Sequence, residues 1–422
     1  MNFFPVRLIN LIKHEIALYR KLSIRTRAFL ISILTYDVTD TVLFVFMYAF
    51  VFRQSQSMLA PAAFNLTFYF TMVLGQLFNL KLLKVLSGKQ VFILSGIGQA
   101  VVIASMFFLH LPQLWQIALL GGVYGLPLGM YWGVRNSVYL GFSTDDNRHY
   151  FEGLRKLFGN TANAILPLMA GWLIAYTSQL NNFRMEWSYQ LIGLGSLMLV
   201  ILGMFKLNKI NFPKIRFSQL KIGKISQHWT LFRSYVITSS FQFGLVLALP
   251  DVLVLRYLGN EGVLGSFQTI FVLLGAACLY VLGKKTHAGS RYALLKASAW
   301  PLIAVSLLLF LHLSPLTIVI YLLVMRVSDQ LFWFVYFPLF SKAVEHESQT
   351  QNQGEYGYVL DHEIFINLGR TFATILFILI SQNWNPEFGI RVMVVLGALT
   401  QVVSLQISRK LFAIHQHQHQ TV

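Results

Sequence analysis

The sequence predicts an all-α integral membrane protein whose twelve transmembrane helices form two pseudo-symmetric six-helix bundles. Composition, the spacing of apolar runs and an internal repeat carry that expectation. Of 422 residues, 56% are hydrophobic and 12% charged, against about 45–50% and about 25% in soluble proteins. A helix needs about 20 apolar residues to cross the hydrocarbon layer, so twelve crossings use about 240 positions and leave short loops. A net charge of +17 would suit nucleic acid only if it were gathered on one soluble face. Here lysine and arginine fall in the gaps between apolar runs, so no nucleic-acid partner is expected. The one cysteine, Cys278, lies inside an apolar run, which leaves neither a disulfide framework nor a cysteine-based metal site.

Taken in order, residues 1–27 mix apolar and basic side chains, and the run that follows starts too deep and is too long for a secretory signal. The segment reads as a cytoplasmic, interfacial leader. An N-terminal six-helix bundle then occupies 28–205, with runs at 28–52, 62–80, 90–109, 115–141, 157–176 and 187–205. A basic cytoplasmic linker, 206–230, holds Lys206, Lys209, Lys214, Arg216, Lys221 and Lys224 and no acid. A C-terminal six-helix bundle follows over 231–408, with runs at 231–255, 262–282, 292–311, 316–340, 363–381 and 389–408, and residues 409–422 form a cytoplasmic tail. Positively charged loops stay on the cytoplasmic side. With the N-terminus inside, Arg53, Arg184 and Arg256 are the basic residues left in outer loops, so both termini are expected in the cytoplasm of a multi-pass plasma-membrane protein.

The halves echo each other. Phe108-Leu109-His110-Leu111 returns as Phe310-Leu311-His312-Leu313, Gly88 as Gly289, and Trp132 as Trp333. Further on, Gly159 to Leu166 matches Gly369 to Leu376, with extra residues of the second half falling in its 341–362 loop. Matches that keep their order argue for duplicated six-helix halves.

With this organisation the chain resembles the major facilitator superfamily over nearly its whole length. The likeness rests on twelve spans, two halves, a basic central loop and inside termini. Lys84-Val-Leu-Ser-Gly88-Lys89 and Lys284-Lys-Thr-His-Ala-Gly289-Ser-Arg291 keep the glycine and basic residues of that family's loop after the second helix of each half, without its aspartate. Gly159, Pro167 and Gly171 remain from the antiporter pattern of its fifth helix. The resemblance implies secondary transport through a central path lined by the first and fourth helix of each half.

An ionisable group at the bilayer centre costs about 2.5–3.5 kcal/mol on insertion scales, so it normally faces a partner or a wet cavity. The deep ones are Asp37 and Asp40 in the first run, Arg135 in the fourth, Asp251 in the seventh, Arg326 and Asp329 in the tenth, and Arg370 in the eleventh. Asp37 and Asp40 are three apart and share a helix face. Two neighbouring carboxylates in a poorly hydrated cavity resist carrying two charges at once, so one can hold or release a proton near neutral pH. That is the chemistry of proton coupling, with Arg135 as counter-ion. A static buried ion pair, or an Arg135 that snorkels to the membrane face, is the competing account.

Arg326 and Asp329 are either substrate contacts or a pair that cancels its own charge. Pro250 frees a carbonyl and can kink the seventh helix, which makes Pro250 and Asp251 candidates for a gating bend. An aspartate at the outer interface is the plainer alternative. Arg370 stands where the first half has Asn160, and packs against Asp329 or a loop carboxylate if it has no further part. Tyr131, Trp132, Trp333 and Phe334 would favour an amphipathic or aromatic solute if they face a cavity, and are otherwise packing or interfacial-belt residues. Gly121, Gly122, Gly125 and Gly129 are expected to allow close helix approach.

No phosphate-binding loop of the G-x-x-x-x-G-K-[ST] type occurs, nor H-E-x-x-H or G-x-S-x-G, and no cofactor or resident metal is expected. His415, His417 and His419 read as a solvated tail, and His110 and His312 as products of duplication. The expected function is alternating-access secondary transport of a small organic solute, coupled to protons, by a monomer in a lipid bilayer. Lipid flipping on the same scaffold is the alternative. A non-transporting receptor, or a membrane enzyme built from Asp145, Asp146, His149, Glu345, His346, Asp361 and His362, ranks behind both because those residues show no recognised catalytic spacing.

Overall fold

A computed structural model describes residues 19–20, 22–142, 145–180, 185–208, 212, 225–246, 248–285, 290–352 and 354–420. Among the described residues there is no strand. Most of the leader and the basic linker, together with Arg184 and Gly289, lie outside them, as do the side chains of Asp145, Asp146, His149, Lys284 and the tail histidines.

The first bundle comprises α1 (Ile24–Ser55), α2 (Ala60–Leu82), α3 (Gly88–Phe108), α4 (Leu114–Phe142), α5 (Asp145–Thr177) and α6 (Met185–Asn208). The second comprises α7 (Gln227–Val246), α8 (Glu261–Lys285), α9 (Arg291–Leu311), α10 (Pro315–Thr350), α11 (Glu355–Asn383) and α12 (Pro386–Gln420). Ten of these helices are long and apolar enough to cross a membrane. The other two are α3, whose described apolar stretch Gly88–Ala104 is shorter, and α2, which carries Asn65, Gln76 and Asn79. All three polar side chains are buried, because α2 packs between α4 and α11 and turns its exposed face, with Phe70 and Phe78, outward. Asn79 donates to the Met130 carbonyl at 2.9 Å and Asn65 accepts from the Tyr48 hydroxyl at 2.6 Å, which offsets the cost of burying them.

Several helices outrun the apolar stretches that mark them. The fifth begins at Asp145 rather than near 157, and the tenth continues to Thr350. The 36 residues of α10 rise about 54 Å, against about 30 Å of hydrocarbon. Charge does not end a helix once it has left the bilayer. Sequence patterning therefore marks the lipid-crossing part and misses the helical extensions.

After Val246 the seventh span resumes as a helical turn, Leu249–Leu253, with Pro250 in its opening positions, where a missing N–H costs no hydrogen bond. A π turn, Val254–Leu258, follows and ends at Gly259, whose φ of 157° belongs to glycine. Ala248, just before Leu249–Leu253, is a turn residue, and Leu247 lies outside the described residues.

Helix pairing is the same in both halves. The first helix packs on the fifth and sixth, the second on the fourth, and the third on the fourth and sixth; α7 to α12 repeat every one of these pairs. The bundles meet through α2 with α11 and α5 with α8, and each of these pairs is the other's image under the relation between the halves. Call the end where α1 begins and α12 ends the termini face, and the opposite end the far face. One hydrophobic cluster runs through the first bundle and across into far-face residues of the second, such as Leu249, Leu253, Leu309 and Met393. A separate aromatic-rich cluster around Trp229, Phe232, Tyr336 and Tyr358 fills the termini-face part of the second bundle.

In the first bundle α2 and α4 touch backbone to backbone. A Cβ on Gly121, Gly125 or Gly129 would stand 2.2, 2.3 or 2.1 Å from the carbonyl oxygens of Phe64, Phe68 and Met72. Gly122, one position around the helix, meets only Thr67 and Thr71 side-chain carbons at 3.6 Å. Gly129→Val is therefore expected to cost about 1–3 kcal/mol of overpacking and to lower the melting temperature in detergent, while Gly122→Ala leaves it unchanged. Equal melting temperatures for the two variants would contradict the close α2–α4 contact.

Candidate functional site

Where the bundles face each other lies a cavity of about 240 Å³ lined by Phe44 and Val45 of α1, Phe243, Pro250 and Asp251 of the seventh span, Gln268 and Phe271 of α8, Met325, Arg326, Asp329 and Trp333 of α10, and Arg370 of α11. Both signs of charge and several aromatic rings converge on it. Asp251 is 3% exposed and accepts from Gln268 Nε2 at 2.8 Å. Asp329 Oδ2 receives Arg326 Nη1 at 3.4 Å, while Asp329 Oδ1 and Arg326 Nε are buried without hydrogen-bond partners. Arg370 reaches Asn367 Oδ1 at 3.4 Å and lies 5.6 Å from the centre of the Tyr69 ring on α2, and its Nε is likewise unpaired. Polar atoms left without partners beside a cavity are groups that a solute or water can satisfy.

A second cluster sits within the first bundle, toward the termini face. Asp37 bridges two arginines: Arg155 Nη1 of α5 lies 3.0 Å from its Oδ2 and Arg135 Nη2 of α4 lies 3.5 Å from its Oδ1. Arg135 covers the Trp132 ring at 4.4 Å, a cation–π contact, and its Nη1 is buried and unpaired. Asp40 makes no ion pair among the described residues, and its buried Oδ1 has no hydrogen-bond partner. Thr41, on the next position of α1, bonds to Asn163 of α5. Asp40 and Phe44 are four apart, so one face of α1 connects this cluster to the cavity.

The far face is latched across the bundles. Arg53 at the end of α1 donates to Glu261 at the start of α8 at 2.8 Å, and Tyr189 of α6 donates to the same carboxylate at 3.0 Å. Next to it, Trp172 Nε1 donates to Ser266 Oγ at 3.1 Å and Thr269 Oγ1 to the Ala164 carbonyl at 2.6 Å. A Cβ on Gly171 would meet the Glu261 carbonyl at 2.2 Å, and one on Gly265 the Pro167 carbonyl at 2.1 Å.

Of the residues singled out from sequence, Pro250, Asp251, Arg326, Asp329, Trp333 and Arg370 share the cavity, and Asp37, Asp40, Arg135 and Trp132 gather in the first-bundle cluster. Arg135 is fixed by Asp37 and Trp132 with 4% exposure, so it does not snorkel. Tyr131 is in the core, stacked on Tyr36 at 4.6 Å, and Phe334 packs against the second cluster; neither lines the cavity. Trp132 and Trp333, equivalent in sequence, thus have different surroundings. Arg370 meets Tyr69 and Asn367 rather than pairing with Asp329. Asp361 and His362 lie inside α11, tied to Arg233 and Trp229 and to Tyr336.

Sequence reading passed over Arg155, Glu261 and Gln268. Arg155 looked like a loop residue because the apolar run starts after it, and only the helical extension from Asp145 carries it to Asp37. Glu261 stood at a helix start, and Gln268 has no charge to draw notice.

Over residues 28–361 the sequence matches the Major Facilitator Superfamily. The chain belongs to that superfamily. A Bacillus subtilis (strain 168) protein, the uncharacterized protein YqgE, is 22% identical over 278 residues, 65% of this chain and 64% of that one; the chain thus spans under two thirds of that relative. Among solved structures, a bacterial homologue of the iron transporter ferroportin in an inward-facing state is similar at 17% identity and a TM-score of 0.64, covering 92% of this chain and 98% of the other. The nucleoside transporter NupG is similar at 13% identity and a TM-score of 0.64, over 92% and 100%. The E. coli fucose:proton symporter FucP is similar at 14% identity and a TM-score of 0.56, over 92% and 97%. Sequence family and fold place this facilitator among membrane transporters.

Arg53 is about one-third exposed, so screening trims the far-face pair to about 1 kcal/mol. Glu261→Gln is expected to open the latch about fivefold more often. Maleimide labelling of Ser266→Cys, in a Cys278→Ser background, measures this as a matching rise in rate. An unchanged rate would mean that the pair does not hold the bundles together.

Proposed function

We propose that this facilitator is a secondary active transporter that moves a small, amphipathic, zwitterionic organic solute by alternating access, driven by protons. The observation that carries the reading is the cavity between the bundles, where Asp251 and Asp329, Arg326 and Arg370 surround a space edged by Phe44, Phe243, Phe271 and Trp333. Fixed charges of both signs suit a solute that carries both, and the rings suit an apolar body. Its volume, about 240 Å³, lies below the about 300–1,000 Å³ of drug-sized sites, which favours a small solute. One chain supplies every wall, so a monomer suffices. The basic residues of the linker support a cytoplasmic termini face, and we assign the protein to the plasma membrane.

Proton coupling rests on the unequal surroundings of the two carboxyls of α1. Asp37 is held by two guanidinium groups, whereas Asp40 is buried with an unpaired oxygen, and we assign the exchangeable proton to Asp40. When the proton leaves, the unpaired Nη1 of Arg135 is the cation nearest in kind to receive the new charge. The change is passed one turn along α1 to Phe44 at the cavity wall.

A thermal-shift screen of purified protein against small zwitterions, followed by flux in proteoliposomes on each hit, tests the reading. Asp40→Asn is expected to abolish gradient-driven accumulation while leaving counterflow within about threefold of wild type; gradient dependence that survives the substitution refutes the coupling role. Trp333→Ala is expected to weaken solute binding up to about tenfold, from loss of about 0.5–1.5 kcal/mol of ring contact. Unaltered affinity in both Trp333→Ala and Asp329→Asn would remove the cavity as the binding site.

A further inference from the structure

At the termini face of the second bundle the first turn of α7 meets the end of α10, and three metal-ligating side chains come together. His228 belongs to α7, and His346 and Glu347 to α10. One ligand atom from each lies within 4.8 Å of both others, and the two imidazole rings stand 5.2 Å apart at 79°. Glu347 has a side chain 1% exposed. Its Oε1 accepts from Ser226 Oγ and lies 3.1 Å from His228 Nδ1, while its Oε2 is buried with no hydrogen-bond partner. His346 is half-buried, and α10 has by then left the hydrocarbon, so an ion in solution can reach the group.

We propose that His228, His346 and Glu347 bind one divalent transition-metal ion of the zinc class. Two imidazole nitrogens and one carboxylate oxygen are the donor set of three-ligand zinc sites, with water at the fourth position, and of two-histidine, one-carboxylate sites for Fe(II) and its neighbours. Metal–ligand bonds of about 2.0–2.2 Å at tetrahedral angles put ligand atoms about 3.3–3.5 Å apart, so closure around an ion requires a contraction of about 1.3 Å at the widest pair. Side-chain rotation of the half-buried His346 supplies it. The unpaired Oε2 supplies the argument from cost, since a buried carboxylate oxygen without a partner is expensive and coordination would satisfy it. Ser226, bonded to Oε1, orients the carboxylate as outer-sphere groups do at metal sites. Occupation would fasten α7 to α10, the helices that bring Phe243 and Trp333 to the cavity, at a place remote from the solute. The inference stands on its own residues and does not depend on the proposed transport activity.

Full-length protein carrying a histidine-free affinity tag, with His415→Gln, His417→Gln and His419→Gln to silence the tail, is stripped with chelator and titrated with zinc chloride. The expected result is one zinc per chain, a rise in melting temperature on adding zinc, and a tetrahedral absorption band when cobalt(II) is used instead. Glu347→Gln and His346→Ala are each expected to weaken binding at least about tenfold and to remove the cobalt band. His346→Ala, at a half-buried ring, guards against loss through misfolding, checked by an unchanged metal-free melting temperature. The proposal is overturned if the tail-silenced protein takes up no stoichiometric zinc, or if His346→Ala binds it as tightly as its parent.

Discussion

The arrangement depends on one close crossing between the bundles. Where α5 meets α8, Gly171 lies against the carbonyl of Glu261 and Gly265 against that of Pro167, so the two backbones touch with no side chain between them. Helices in lipid gain little from the hydrophobic effect and associate through packing and hydrogen bonds of this kind. The symmetric partner contact, α2 with α11, is built differently, with buried polar side chains on α2 and Arg370 over Tyr69. Between these two seams α1, the seventh span and α10 line a space, closed at its edges by Gln268 and Phe271 of α8 and Arg370 of α11. The cavity exists because the second and fifth helices of each bundle hold the bundles together.

Charge is distributed unequally over that frame. The first bundle ties its first helix to its fifth with Asp37 and Arg155; the second ties the equivalent helices with Arg233 and Asp361, acid and base exchanged. The duplicated scaffold thus keeps the need for a pair at this crossing without keeping which helix provides which sign. The first bundle adds a second acid, Asp40, on α1 and a second base, Arg135, on α4. Only the second brings Arg326, Asp329 and Asp251 to the cavity wall. Divergence after duplication has separated a candidate proton site from a candidate solute site while keeping them one helical turn apart along α1.

Much of this was legible in the sequence because a bilayer punishes exposed polarity so heavily. The spans and the list of deep charges both follow from that one penalty, and four of those charges, Asp251, Arg326, Asp329 and Arg370, do meet in a single cavity. What stayed hidden had other causes. Arg155 was invisible because helix α5 continues into a stretch that composition marks as loop. Tyr131 and Trp132 are neighbours on one helix, and only packing decides that the first lies in the core while the second lies under Arg135. His228 and Glu347 are far apart in the chain, and no pattern within either segment announces that α7 and α10 bring them together.

The far-face hydrophobic cluster is shared between bundles, whereas the termini-face cluster of the second bundle is its own. Parting the bundles at the far face strips shared apolar surface such as Leu249 and Met393 from its neighbours, at about 1.5–3 kcal/mol for each side chain fully wetted. Parting them at the termini face leaves the second bundle's aromatic cluster intact. Separating the bundles at the far face is therefore costlier than separating them at the termini face. For the alternating access we propose, opening the far side is thus the costlier excursion of a turnover.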